Sequence, residues 1–277
     1  MTETLDSIRA YRFEGATTVV AARADQRVSY CLYVPSRREG DPARYPLAVM
    51  QHGTGRTAWT YRDEMIEFAE RQRVVILAPL FPAGLIDPLD LHNFKTLVYR
   101  DIRFDLLLLS IVDEVALHVP IEPERFLLHG FSAGAQFAHR FFYVHPERLL
   151  GVSVGAPGRL TLLDDAESWW LGTADLEAVF GKPLDLEQMR RVACQLVVGA
   201  EDLDESEIND ETASNWRPEI AAQGRTRIDR IRTLQRNWQD HGIDAALDIV
   251  QGTGHEGTKL LPAVRSFFET VLTAADR

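Results

Sequence analysis

One stretch narrows the choice of fold more than any other: Leu127-Leu128-His129-Gly130-Phe131-Ser132-Ala133-Gly134-Ala135-Gln136-Phe137. An apolar run leads into Gly-x-Ser-x-Gly, and helical spacing follows. The pattern predicts a strand, a very sharp turn and a helix. In such a turn the serine hydroxyl is pushed into the open, and the following backbone N–H faces the same space. Gly130 and Gly134 let strand and helix approach where a Cβ would collide. Ser132 is driven toward an unfavourable backbone conformation, of a kind kept where function needs it.

The surroundings of this turn predict an α/β protein. Residues 17–22 and 28–35 are strand-like, with a hairpin turn at 23–26. Residues 46–51 form a continuous apolar run, as in a strand buried on both faces. An amphipathic helix is expected over 61–71, a strand over 74–77, a loop over 80–95 and a long helix over 101–119 with an Asp or Asn-like start and a stop at Pro120. After the 125–128 strand and the 133–145 helix come strands at 151–154, 195–198 and 246–250, with helices at 226–241 and about 258–272. Strands and helices alternate from Pro46 onward, which predicts a mostly parallel twisted sheet with helices on both faces and antiparallel strands at its start. The alternation breaks at 158–191, a lid-like insertion holding Trp169 and Trp170. No repeat and no boundary divides the sequence, so a single domain over 1–277 is expected.

The chain has 277 residues, 45% apolar and 26% charged, with a formal net charge of −11. That is enough chain for a sizeable core, and the acidity disfavours nucleic acid or an anionic membrane surface as partner. Cys31 and Cys194 lie in apolar, strand-like runs and are expected as buried hydrophobes, with no disulfide framework and no metal-ligand spacing. The polar, acidic start lacks signal-peptide character, and no window reaches membrane-span length. A cytoplasmic chain without metal or cofactor follows, and a homo-oligomer is compatible with it.

Four chemically suggestive segments fall at expected strand ends, where open parallel sheets bind ligands. They are His52-Gly53-Thr54-Gly55, Gly130 to Gly134, Gly199 to Asp204, and Gly254-His255. In chain order they supply an oxyanion loop, a serine, an acid and a histidine, the order expected for one class of serine hydrolase. A serine hydroxyl needs a base to take its proton during attack, and His255 is the candidate. The imidazole needs a partner on its other nitrogen; Asp202 is favoured over Glu201 and Asp204. Ala133 N–H and Thr54 N–H are the expected donors to the oxyanion. His52 is expected to shape its loop, and His92, His118, His129, His139, His145 and His241 to have no chemical role. Arg56 and Tyr61 follow the oxyanion loop and are candidates to reach substrate, as are Trp169, Trp170 and Trp216.

These motifs resemble the α/β-hydrolase family, from about Pro46 to the C-terminal helix. More narrowly, His52-Gly53-Thr54-Gly55-Arg56-Thr57 with Tyr61-Arg62-Asp63, and Ser132-Ala133-Gly134-Ala135-Gln136-Phe137, look like bacterial hydrolases related to polyhydroxybutyrate depolymerases and feruloyl esterases. The resemblance implies Ser132, Asp202 and His255 as catalytic triad and Thr54 with Ala133 as oxyanion hole. Secreted depolymerases of that kind carry signal peptides and often disulfides. This sequence shows neither, which favours a small soluble ester over an extracellular polymer. A peptidase, thioesterase or acyltransferase on the same triad is the alternative activity. A non-catalytic binding protein on a hydrolase scaffold is the alternative class.

Overall fold

A computed structural model describes residues 12–213 and 215–275. Nine strands form a mixed, mostly parallel sheet flanked by helices, and the chain divides into two compact units, Met1–Leu128 and His129–Arg277.

In the first unit, β1 (Gly15–Ala16) and β2 (Val20–Ala21) both pair antiparallel with β3 (Ser29–Val34). Of the strand expected over 17–22 only Val20–Ala21 is strand, and Gly15–Ala16 lies before it. β4 (Leu47–Gln51) is buried at every residue, as its uninterrupted apolar run requires. The helix expected over 61–71 is two helices, α1 (Ala58–Glu64) and α2 (Ile66–Gln72), separated at Met65. Ala58, Tyr61, Arg62, Met65, Phe68 and Ala69 are all buried and keep the i, i+3, i+4 rhythm across the break. The periodicity therefore reads as one helix. β5 (Val75–Leu80) runs parallel to β4 and antiparallel to β3. It includes Pro79, which the sequence reading placed beyond its end. Pro79 stands opposite Tyr30 of β3, and the pairing with β4 stops at Val49↔Leu77, before it.

The helix expected from residue 101 begins later. A small hairpin, β6 (Val98–Tyr99) and β7 (Ile102–Arg103), occupies its first turn, and α3 runs over Phe104–Ala116. Leu97 and Arg100 take positive φ, 66° and 55°, and this folds the chain back before the helix starts. No side chain caps α3; Asp105, in its first turn, pairs with Arg103.

β8 (Phe126–Phe131) carries the chain into the second unit. There α4 (Ala133–Val144) and β9 (Leu149–Gly155) follow. The insertion over 158–191 holds two short helices, α5 (Leu176–Phe180) and α6 (Leu186–Met189). β10 (Ala193–Gly199), α7 (Arg227–Asp240), β11 (Ala245–Val250) and α8 (Gly257–Ala275) complete the unit. β9, β10 and β11 are parallel neighbours in that order. Every residue of α4 is buried, so this helix has no solvent face and its polar side chains bond internally. His139 Nδ1–H donates to Ala135 O, and its Nε2 accepts from Thr161 N–H. α7 starts with a reciprocal capping box between Thr226 and Asp229, and its buried Trp238 donates to Tyr143 Oη. Cys31 and Cys194 are free thiols, one in each unit and both buried. Among the described residues, no helix is long and apolar enough to cross a membrane.

Candidate active site

The second unit brings three of the expected side chains together. β8 ends on Phe131, and Ser132 has φ 55° and ψ −111°, a strained conformation for a residue with a side chain. Its N–H donates to Gly155 O at 2.8 Å, which pins the turn to the end of β9. Gly130 is required on steric grounds: a Cβ there would lie 2.0 Å from the Gly134 carbonyl oxygen. Ala133 is the first residue of α4, so its N–H has no acceptor within the helix.

His255 lies between β11 and α8. Its Nδ1–H donates to Asp202 Oδ2 at 2.7 Å, which leaves Nε2 as the acceptor for Ser132 Oγ–H at 3.0 Å. The Phe131 ring flanks the imidazole, with centroids 4.6 Å apart. Asp202 follows β10 in a turn where Glu201 N–H donates to Thr253 O. Gly199 permits that closeness, since a Cβ there would stand 2.2 Å from the same carbonyl oxygen. The Asp202 carboxylate is fully buried, and the other two acids considered are placed differently. Glu201 is exposed. Asp204 folds over Ser206, accepting from its N–H and Oγ–H, and those bonds hold its carboxyl below the usual range.

A basic group not singled out in the sequence stands behind Asp202. Arg227, the first residue of α7, directs Nη1 toward Asp202 Oδ1 at 3.4 Å and donates from Nη2 to Glu207 Oε2 at 2.8 Å. One arginine at the start of a polar helix carries no sequence signal that distinguishes it from its neighbours.

Thr54 and Arg56 belong to the first unit. His52 shapes their loop: its Nδ1–H donates to Gly53 O at 2.8 Å, and its Nε2 accepts from Phe81 N–H at 3.0 Å. Full burial pushes its pKa down to about 3, so it is neutral at ordinary pH. The Arg56 guanidinium is spread over Thr54 O, Phe81 O, Leu91 O and Asn93 Oδ1, bracing the loop. Tyr61 is buried on α1. In the second unit, Trp169 packs edge-on against Phe180, and Trp170 stacks beneath the Arg140 guanidinium. Trp216 is half-buried in the loop before α7, its N–H bonded to Ala213 O. His129 is buried against Ser153 Oγ at 3.0 Å. Ser153 donates onward to Gln195, and Gln195 to Asp248, so this histidine belongs to a polar chain inside the sheet.

No protein-family model and no curated protein matches the sequence. Solved structures do match. The chain is similar to a poly(3-hydroxybutyrate) depolymerase from Bordetella parapertussis, at 23% identity and a TM-score of 0.71, with 94% of each chain covered. It is similar to poly(aspartic acid) hydrolase-1 from Sphingomonas sp. KT-1, at 20% identity and a TM-score of 0.70, over 92% of this chain and 98% of that one. An S-formylglutathione hydrolase from Agrobacterium tumefaciens matches at 14% identity and a TM-score of 0.60, over 94% of this chain and 95% of that one. At these identities the likeness establishes the fold, which is that of the α/β-hydrolases.

Proposed function

We propose that this chain is a serine hydrolase that cleaves the carboxylic ester of a small soluble substrate, in the cytoplasm, through an acyl-enzyme. The observation that carries the reading is the unbroken line from Ser132 Oγ through the imidazole of His255 to the buried carboxylate of Asp202, with separations of 3.0 and 2.7 Å. The tautomer set by Asp202 leaves Nε2 free to take the serine proton as Oγ attacks the carbonyl carbon. The imidazolium that results is stabilised by the carboxylate. It then returns the proton to the alcohol oxygen as the C–O bond breaks, and water repeats the cycle to release the acid. Ala133 N–H is the first oxyanion donor, and Thr54 N–H is assigned as the second from the sequence pattern of its loop. Each such donor is worth roughly 3–4 kcal/mol. Arg56 acts through the loop it braces. The insertion over 158–191, with Trp169 and Trp170, and Trp216 beyond it, are assigned to the substrate side.

The test is a fluorophosphonate probe followed by location of the adduct, with a panel of p-nitrophenyl esters of increasing acyl length. Labelling at Ser132 that vanishes in Ser132→Ala, with ester turnover that vanishes alongside, is the expected result. Folded protein that neither labels nor turns over would reject the enzyme reading in favour of a binding role. The S-formylglutathione hydrolase among the neighbours is named for a thioester, so a thioester arm belongs in the panel; faster turnover there would move the substrate class.

A further inference from the structure

We infer that Arg227 is a positioning residue for the proposed triad: it fixes the Asp202 carboxylate against His255 and offsets part of its charge. The inference rests on the triad reading above. Asp202 Oδ2 is taken by His255 Nδ1–H, and Oδ1 faces only Arg227 among the described residues. The carboxylate is fully buried and the arginine side chain is 2% exposed. A buried carboxylate with one partner is free to turn about its Cβ–Cγ bond, and the guanidinium removes that freedom.

The arginine is not placed to satisfy its own donors. Nε–H is buried with no acceptor among the described residues, and the contact to Asp202 is long at 3.4 Å. An unused donor inside a protein is destabilising. What the arrangement supplies is a fixed positive charge behind the acid. The capping box at Thr226 and Asp229 holds the first turn of α7, and Glu207 anchors the second arm.

Around the imidazole stand Asp202 and Asp204 from the loop after β10, Phe131 at the end of β8 and Ser132 just after it, with Glu256 beside His255 in the chain and paired to Lys259. Arg227 lies across Asp202 from the ring, so it acts on His255 only through the carboxylate it holds.

The experiment uses the full chain and the p-nitrophenyl ester the wild type turns over best, with kcat and KM followed from pH 5 to 9, and melting and fluorophosphonate labelling alongside. Arg227→Met is expected to lower kcat by roughly 10- to 100-fold, the scale of a displaced catalytic group, with KM within about twofold. Arg227→Lys should recover only part of kcat, again with KM within about twofold. Wild-type kcat in Arg227→Met would overturn the inference. So would a lower melting temperature with both kinetic readouts unchanged, which is the signature of plain structural support. If Arg227→Met does not fold, Arg227→Lys decides: reduced kcat with KM within about twofold supports the inference, and wild-type kcat overturns it. A wild type that neither labels nor turns over overturns the triad reading, and this inference with it.

Discussion

Gly130→Ala is the sharpest test of how the serine turn is built, because the obstruction can be measured. An added Cβ would lie 2.0 Å from Gly134 O, 2.3 Å from Gly134 C and 2.9 Å from Ala135 N. All three are backbone atoms, so no rotamer change relieves them. Restoring a tolerable carbon–oxygen separation of about 3.2 Å requires β8 and α4 to part by roughly 1.2 Å. Both are tied: Ser132 N–H to Gly155 O, and every residue of α4 buried against its surroundings. The cost should reach the top of the range for overpacked cores, about 3 kcal/mol. For a chain of this size that corresponds to a fall in Tm of roughly 6–12 °C. A shift of about 1 Å at Ser132 relative to His255 should also slow fluorophosphonate labelling by about 100-fold. Gly252→Ala is the control. Gly252 has φ 64° with nothing within 4 Å of the added carbon, so only the left-handed conformation is penalised, by about 1–2 kcal/mol. A Gly130→Ala protein that melts within 2 °C of wild type and labels normally would refute the steric argument.

Two further outcomes are expected. Asp202→Asn should reduce kcat by about 10⁴-fold, as loss of the orienting carboxylate does in other triads, while Asp204→Asn, whose carboxylate is occupied by Ser206, should cost far less; steady-state kinetics showing the reverse ranking would move the acid to Asp204. His52 should make stability depend on pH. Its folded pKa of about 3 lies below the ordinary 6.5, so the unfolded chain binds the proton first. The stability it contributes is complete above pH 6.5 and is lost as pH falls toward 3, by up to about 1.4 kcal/mol per pH unit. Urea unfolding between pH 7 and 5 should show His52→Gln with a shallower loss than wild type, and identical slopes would refute the assignment.

The sequence was most legible where periodicity and packing coincide. β4, β8, α4 and α7 stand within a few residues of their expected positions because their apolar patterns match their burial. The period is blind where backbone dihedrals intervene. At Met65 the helix breaks while the buried stripe keeps its helical rhythm, and the positive φ of Leu97 and Arg100 makes a hairpin where apolar spacing alone reads as helix. The serine turn was legible because Gly130 is sterically obligatory. Residue chemistry favoured Asp202 over Glu201 and Asp204 without any measure of burial, in which the three differ: Glu201 and Asp204 are exposed and Asp202 is buried. Arg227 was not legible at all, because its meaning lies in a contact 25 positions away along the chain.

The two cysteines carry a practical consequence. Cys31 and Cys194 stand in β3 and β10, one in each compact unit, and burial pushes both thiols above their ordinary range, Cys31 to about 11. Thiolate is the reactive form, so the native chain presents almost none of it to a reagent. Each unit therefore holds its own silent reporter, and alkylation of each sulfur as denaturant rises reports when the strand that carries it becomes exposed.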